Sequence, residues 1–239
     1  MQTTSFLLDD DILIDAGTGT GRLSLEAMRN IDHIFLTHSH LDHVAFIPLL
    51  VDSVGYLRQK PITVHAIPET IAALKQHLFN WVIWPDFSVI PNTESPYLVF
   101  EEISVGETVR LGDRKITALP AVHTVPAVGY HLESGKGSLV FSGDTTTNDA
   151  FWERVNEIDD LRYLIIETAF SNGEREIAIL SKHLCPSLLG EELAKLEKDV
   201  PVYITHLKPG ELSLIMAEIG EGISGVRTEM LVNEQIFEI

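Results

Sequence analysis

Residues 31–43 read Ile31-Asp-His-Ile-Phe-Leu-Thr-His-Ser-His-Leu-Asp-His43 and decide the fold. A mostly apolar run leads directly into a dense group of imidazole and carboxylate side chains. Apolar runs of about four to eight residues are typical of buried strands. We therefore predict a buried strand over 31–37, followed by a loop over 38–43.

Four side chains of this loop belong to types that bind metal ions: His38, His40, Asp42 and His43. Residues two apart in an extended segment face the same side, so His38 and His40 can converge on one ion. Asp42 and His43 lie where the chain turns and can face a second ion. Imidazole and carboxylate ligands together suit zinc, manganese or iron. A lone histidine is more often structural, but four such residues after a buried strand indicate a metal site.

Three further residues of ligand type each follow an apolar strand: His123, Asp144 and His206. Each of them alone is as compatible with a structural role as with metal binding. Together they repeat one arrangement, in which several strands deliver ligands to one edge of a sheet. The sequence therefore predicts that they join the loop over 38–43 in one metal centre.

The remaining chain predicts one domain over 1–239, because it contains no repeat, low-complexity tract or long linker. Strands follow one another in the middle and alternate with helices on either side, which favours two packed sheets with helices outside. The glycine-rich segment over 15–21 lacks the long helix and distant acid of a dinucleotide site. We interpret it as a turn beside the active site.

The formal net charge of −18 at pH 7 argues against tight binding to a nucleic-acid backbone, which needs clustered lysine and arginine. No apolar run reaches the roughly 18–20 residues that cross a bilayer, and the first residues lack the pattern of a signal peptide. Cys185 is the single cysteine and cannot form an internal disulfide, which fits a reducing compartment. We therefore expect a cytoplasmic protein that does not span a membrane.

The metal-type residues fall into four short motifs: Thr37-His-Ser-His-Leu-Asp-His43, His123, Ser142-Gly-Asp-Thr145 and Thr205-His206. With these motifs the chain resembles the metallo-β-lactamase superfamily over nearly its whole length. The resemblance implies an α/β fold, a four-layer αββα sandwich. It also implies one metal held by His38, His40 and His123, a second held by Asp42, His43 and His206, and Asp144 bridging the two.

A pair of metal ions leaves one chemical need unmet. Two ions about 3.5–4 Å apart activate water and bind phosphate oxygens, but the leaving oxygen still needs a proton. Glu167 and His183 are candidates, because a carboxylate orients an imidazole and favours its protonated form. Residue chemistry alone leaves open whether the two side chains meet. The phosphodiesterase branch of the superfamily has a similar pair in the same order, and the resemblance implies proton donation as its role.

The chain also resembles the class II cyclic-nucleotide phosphodiesterases of that branch. The resemblance is carried by His40-Leu-Asp-His43, His77-Leu-Phe-Asn-Trp-Val-Ile-Trp-Pro85, Ser181-Lys-His-Leu184 and Ile204-Thr-His-Leu-Lys-Pro209. In the second motif Trp81 and Trp84 are candidates for stacking on a base or for packing in a lid over 79–96. Lys208, in the last motif, is a candidate either for phosphate binding or for a solvated surface position.

Two features depart from the family pattern. The usual opening strand with its glycine-rich turn is missing before Thr3, so we expect either that the chain begins late in the fold or that its start is truncated. The glycine that often follows the histidine motif is replaced around Ala45 and Phe46, which weakens the inference about the substrate.

We predict a binuclear metal-dependent phosphodiesterase that hydrolyses 3′,5′-cyclic nucleotides to 5′-nucleotides, with Asp42, Glu167 and His183 as catalytic residues. Two divalent ions are the expected cofactors, with zinc first and manganese or iron next. The expected partner is a small phosphodiester, and family analogy adds a homodimer.

Three different functions stay open beside this one. They are a transfer-RNA 3′-processing endonuclease, a hydrolase of thioesters, lactones or β-lactams, and a non-catalytic metal-binding protein. The short interval between His123 and Asp144 leaves no room for an RNA-binding arm, which counts against the endonuclease.

Overall fold

The computed structural model describes residues 2–239. Contacts divide the chain into two units, the first ending at Ser104 and the second running from Val105 to Ile239. Each unit contains one sheet. Among the described residues, no helix is both long enough and apolar enough to cross a bilayer.

The first unit contains a five-stranded sheet whose strands follow one another in chain order. The strands are β1 (Phe6–Leu8), β2 (Ile12–Ile14), β3 (His33–Phe35), β4 (Ile62–Ala66) and β5 (Leu98–Glu102). The helices are α1 (Leu25–Asn30), α2 (Leu41–Val44), α3 (Ile47–Val54) and α4 (Pro68–His77). β1 and β2 are antiparallel, whereas β2, β3, β4 and β5 are parallel. Parallel neighbours need a crossover, and the helices provide it.

The core of the first unit forms between its sheet and its helices. Ile34, Val64 and Leu98 project from the strands and are fully buried together with Leu50 and Val54 of α3. Burial of each such side chain contributes about 1.5–3 kcal/mol. This packing holds β3 firmly, and β3 leads directly into the segment that carries the four candidate ligands.

The second unit contains a seven-stranded sheet. Its strands are β6 (Thr108–Leu111), β7 (Arg114–Pro120), β8 (Val128–Glu133), β9 (Ser138–Phe141), β10 (Leu161–Glu167), β11 (Val202–Thr205) and β12 (Thr228–Met230). The spatial order is β12-β11-β10-β9-β8-β7-β6. Neighbouring strands pair antiparallel from β6 to β9 and parallel from β9 to β12.

Four helices accompany this sheet: α5 (Asp149–Asn156), α6 (Arg175–Ser181), α7 (Pro186–Leu193) and α8 (Leu212–Gly222). Phe151, Leu189 and Ile215 from these helices are buried in one core with Val140 and Ile166 of the strands. Because β9, β10 and β11 are parallel, their carboxyl ends lie at the same edge. Polar residues that follow these strands are therefore delivered to one place.

The strand predicted over 31–37 is present but shorter, because β3 covers only His33–Phe35. Residues 79–96, the predicted lid, form neither helix nor strand. The loop predicted over 38–43 is wrong in one respect. The chain enters the short helix α2 directly after His40, whose carbonyl accepts a hydrogen bond from the His43 N–H at 3.0 Å.

Candidate metal centre

We call His38, His40, Asp42 and His43 the histidine loop, and the structure brings these four side chains together. The ring of His38 lies 4.7 Å from that of His40 and 4.2 Å from that of His43, measured between centroids. One carboxylate oxygen of Asp42 lies 3.8 Å from Nε2 of His43. His38 and His43 are fully buried, whereas His40 and Asp42 are partly exposed. Solvent therefore reaches one side of the loop.

Asp15 holds the histidine loop from behind, a role that the sequence reasoning missed. Its buried carboxylate accepts hydrogen bonds from Nδ1 of His43 at 2.7 Å and from the backbone N–H of Thr37 at 2.8 Å. The Thr37 hydroxyl also donates to it at 2.9 Å and lies 2.9 Å from Nδ1 of His38. A carboxylate that binds Nδ1 of a histidine directs Nε2 outward as a ligand. The signal that could have identified Asp15 is its place at the end of β2, before the glycines.

The glycine-rich turn lies against the histidine loop, as predicted. A Cβ atom at Gly17 would lie only 2.1 Å from the carbonyl oxygen of Asp42, so this position requires glycine. The backbone N–H of Ala16 donates to the carbonyl of His43 at 2.7 Å. Asp15 has a φ of +56°, a conformation that aspartate tolerates better than most residues. The turn therefore positions the loop through its backbone.

We call His123, Asp144 and His206 the strand-end cluster. One carboxylate oxygen of Asp144 lies 3.1 Å from Nε2 of His206 and 4.0 Å from Nε2 of His123. Asp144 and His206 follow the parallel strands β9 and β11, with β10 between them. His206 has a φ of +63°, which is strained for a residue other than glycine. Such strain is common at functional sites.

Glu167 and His183 meet beside the strand-end cluster. Nδ1 of His183 donates to Oε1 of Glu167 at 2.7 Å. The same carboxylate accepts from the N–H of Thr145 at 3.1 Å and from the N–H of Leu184 at 3.3 Å. Glu167 is fully buried, and burial raises the pKa of its carboxyl group against the opposing effect of the His183 hydrogen bond. Because Thr145 follows Asp144, the carboxylate of Glu167 links the segment that carries Asp144 to the segment that carries His183.

His183 also lies close to the candidate ligands. One ligand atom each from His123, Asp144 and His183 falls within 4.8 Å of the other two. The ring centroid of His183 is 4.8 Å from that of His123 and 5.1 Å from that of His206. Since Nδ1 is bound to Glu167, Nε2 is the atom of His183 that can exchange a proton with a neighbour.

The donor set fits divalent metal ions. In His43 and His123, Nδ1 contacts an oxygen acceptor, the carboxylate of Asp15 and the main-chain carbonyl of Lys182 respectively. This is the pattern of histidine ligands that bind metal through Nε2. Imidazole nitrogens with carboxylate oxygens suit zinc and its neighbours in the first transition series.

Trp84 and Lys208 occupy less central places. Trp84 is partly buried against the apolar core of the first unit, while Trp81 is 64% exposed. The ammonium of Lys208 lies 5.3 Å from the ring centroid of Phe170, which is itself 5.7 Å from that of His183. A role in substrate binding stays a prediction for both Trp84 and Lys208.

Residues 10–222 match the model of a β-lactamase superfamily domain. The chain belongs to the metallo-β-lactamase superfamily. The matched stretch includes both the histidine loop and the strand-end cluster. The superfamily implies divalent metal ions, and the histidine and aspartate clusters are of the type that holds them.

Similar proteins agree with this assignment. A crystal structure of the metallo-β-lactamase fold protein YhfI from Bacillus subtilis is 18% identical, with a TM-score of 0.74, over 96% of this chain and 88% of that one. The predicted fold class is confirmed.

Two curated relatives carry names of phosphodiester-cleaving enzymes. A probable 3′,5′-cyclic-nucleotide phosphodiesterase from Yersinia pestis is 26% identical over 87% of this chain and 67% of its own length. A nuclear ribonuclease Z from Triticum aestivum is 32% identical over 45% of this chain and 58% of its own length. The predicted resemblance to cyclic-nucleotide phosphodiesterases is confirmed. The chain spans about two thirds or less of the length of these relatives.

Proposed function

We propose that this protein is a binuclear metal-dependent phosphodiesterase that hydrolyses 3′,5′-cyclic nucleotides to 5′-nucleotides. The observation that carries the proposal is the buried hydrogen bond of 2.7 Å between Glu167 and His183, beside His123 and Asp144. An oriented imidazole at this place can give a proton to a leaving alkoxide. The name of the Yersinia pestis relative supports cyclic nucleotides as the substrate class.

The proposed ligand sets combine the histidine loop with the strand-end cluster. One ion would be held by His38, His40 and His123, the second by Asp42, His43 and His206, with Asp144 shared. The position of both groups within one family domain supports this assignment. Zinc is the proposed native metal, with manganese and iron as substitutes that accept the same ligands.

When bound, the metal pair supplies a water nucleophile of lowered pKa and stabilises charge on the phosphate oxygens. The protein supplies the proton and its direction. Water attacks phosphorus, the bond from phosphorus to O3′ breaks, and Nε2 of His183 gives a proton to O3′. Glu167 keeps the ring of His183 oriented through Nδ1 and balances the charge that it carries.

The test is the variant His183→Ala in the metal-loaded protein. It should retain two metal equivalents and lose about 10²–10⁴-fold in turnover of cyclic AMP or cyclic GMP. His131→Ala, which removes a histidine from β8 on the second unit's sheet, is the control and should keep full turnover. Turnover of His183→Ala equal to the wild type would remove His183 from the mechanism.

A transfer-RNA 3′-processing endonuclease is the second candidate, because the Triticum aestivum relative is named a ribonuclease Z. The net charge of −18 counts against it. The interval between His123 and Asp144 is occupied by β8 and β9, with no inserted arm. A screen of cyclic nucleotides, a transfer-RNA precursor and a thioester decides between the candidates. Cleavage of the precursor without hydrolysis of cyclic nucleotides would favour the endonuclease.

Thioester hydrolysis and a purely metal-binding role receive less support. Hydrolysis of a thioester, lactone or β-lactam needs no proton-donating pair, and Glu167 and His183 are hydrogen-bonded rather than apart. A non-catalytic metal protein would bind metal but leave bis(p-nitrophenyl) phosphate intact.

We further propose a homodimer by family analogy, which light scattering tests, and a cytoplasmic location that fits the single Cys185.

A further inference from the structure

Lys182 occupies an unusual position between the candidate ligand His123 and the proposed acid His183. It ends helix α6 with φ +54° and ψ +49°, the left-handed conformation. Glycine is the residue that usually stands at such a helix end, because a Cβ atom strains this conformation. A lysine at a position that favours glycine indicates that its side chain has a function there.

Two hydrogen bonds join Lys182 to His123 in opposite directions. The ammonium of Lys182 donates to the main-chain carbonyl of His123 at 2.9 Å. The carbonyl of Lys182 accepts from Nδ1 of His123 at 3.1 Å. The pair therefore fixes both the backbone and the ring of His123 from one residue that lies 59 positions further along the chain.

The residue before His123, Val122, is also held by hydrogen bonds. The N–H of Val122 donates to the hydroxyl of Thr145 at 3.0 Å, and its carbonyl accepts from the N–H of Thr146 at 2.9 Å. His123 therefore lies between the segment after Asp144 and the end of α6. Removal of the Lys182 ammonium would remove its hydrogen bond to the His123 carbonyl and leave the two hydrogen bonds at Val122.

We propose that Lys182 is a positioning residue for the metal centre: its ammonium holds the His123 backbone so that Nε2 faces the ion. This inference rests on the proposed function, in which His123 is a ligand. Lys182 is exposed, so its hydrogen bond competes with water and contributes little to global stability. Its effect should therefore appear in metal affinity rather than in the melting temperature.

The test compares zinc affinity, by competition with a chromophoric chelator, across Lys182→Met, Lys182→Arg and Lys182→Gly. The methionine variant keeps much of the length of the side chain but has no donor, and should bind about 10-fold or more weakly at one of two sites. Arginine can still donate to the carbonyl and should restore most of the affinity. The glycine variant relieves the backbone strain, so its metal-free melting temperature should be unchanged or higher while its affinity falls.

Two variants serve as controls. Lys136→Met removes the same charge from an exposed turn, and Asp9→Gly relieves another left-handed residue. Both should bind zinc as the wild type does. Wild-type affinity in Lys182→Met, or a fall in melting temperature with no change in affinity, would overturn the positioning role. A wild-type protein that binds no zinc would instead refute the proposed metal centre and the inference with it.

Discussion

The histidine loop and the strand-end cluster offer similar candidate ligands but differ in how the sequence arranges them. The four residues of the histidine loop fall within six positions, directly after β3. The three residues of the strand-end cluster are spread over 84 positions, from His123 to His206. Each group is backed by one buried carboxylate, Asp15 in the first unit and Glu167 in the second.

The two carboxylates differ in what they hold. Asp15 contacts His43, a candidate ligand, and Thr37 beside another, so we expect it to support metal binding. Glu167 contacts His183 and the backbone N–H of Thr145, the residue after Asp144. Both carboxylates therefore join segments that are separated in sequence: Asp15 lies 28 positions from His43, and Glu167 lies 16 positions from His183. We expect Glu167 to act on proton transfer rather than on metal binding.

The greatest change should follow when each carboxylate is neutralised in turn. Asp15→Asn weakens the hydrogen bond that orients His43 and should lower metal affinity about 10–100-fold. Glu167→Gln should keep two metal equivalents but lower turnover about 100-fold or more, because His183 loses its charged partner. Metal content by elemental analysis and turnover of cyclic AMP at saturating metal measure the two effects.

The two variants control for each other, since each removes one buried negative charge. If Glu167→Gln lost metal as readily as Asp15→Asn, the division of labour between the two carboxylates would be wrong. If excess zinc restored turnover in both variants, Glu167 would act on metal binding alone.

A smaller effect should distinguish the buried histidines of the two sheets, namely how strongly each makes the free energy of unfolding depend on acid pH. His65 on β4 is buried, with Nε2 3.0 Å from Nδ1 of His33 and Nδ1 3.5 Å from the exposed carboxylate of Glu101. Burial, with the nearby charge of His33, lowers the pKa of His65 from 6.5 to about 4. Between these values the unfolded chain binds a proton that the folded chain does not, so stability falls as the pH falls. His65 should cost about 2 kcal/mol of unfolding free energy between pH 7 and 5.

Urea unfolding of the metal-free protein at pH 7 and pH 5 measures this cost. His65→Gln removes the titrating group and should reduce the loss of stability on acidification. His131 on β8 is the matched control in the second unit, because burial lowers its pKa while Glu133 and Asp160 raise it. His131→Gln should therefore change the acid sensitivity less. Equal effects of the two variants would contradict the assignment to His65.

The smallest expected difference is in the free-energy cost of removing the capping side chain at one helix start in each unit. Ser24 caps α1 by accepting from the N–H of Ala27 at 3.1 Å and is exposed. Asn148 caps α5, is buried, and also donates to the carbonyl of Pro120 at 2.9 Å. Ser24→Ala should cost about 0.5–1 kcal/mol. Asn148→Ala should cost about 1–3 kcal/mol, because the part-buried carbonyl of Pro120 also loses its hydrogen-bond donor.

Urea midpoints of the two alanine variants check this order. Ser24→Thr and Asn148→Asp provide the matched replacements, since both new side chains can still accept at the helix start. An ionised aspartate has no proton to donate to the Pro120 carbonyl, so Asn148→Asp should recover only part of the loss. Equal costs for the two alanine variants would show that the Pro120 contact contributes nothing.

Much of the fold follows from local sequence patterns. The strands β4, β10 and β11 were predictable because runs such as residues 161–167 are apolar and branched and end at polar residues. The candidate ligands were predictable because imidazole and carboxylate groups after such strands have few structural uses. Helix α8 was not predicted, since only Ile215 and Ile219 of its residues are buried and its apolar pattern is weak.

The supporting residues were harder to predict. Asp15 was assigned to a turn, because the glycines that follow it are typical of one and its partner His43 lies 28 positions away. The task of Lys182 depends on His123, at an even greater separation. A sequence pattern indicates which side chains have a given chemistry, but these contacts arise only when the strands align.

The parallel pairing of β9, β10 and β11 makes the arrival points of Asp144 and His206 independent of the length of chain between them. Hydrogen bonds between the strands decide where each strand ends, whatever path the connecting segment takes. Extra residues in the surface turn at Asp159 and Asp160 would lengthen the polypeptide without displacing either side chain. Two descendants of such a protein can therefore diverge widely in size and keep the same chemistry at this edge.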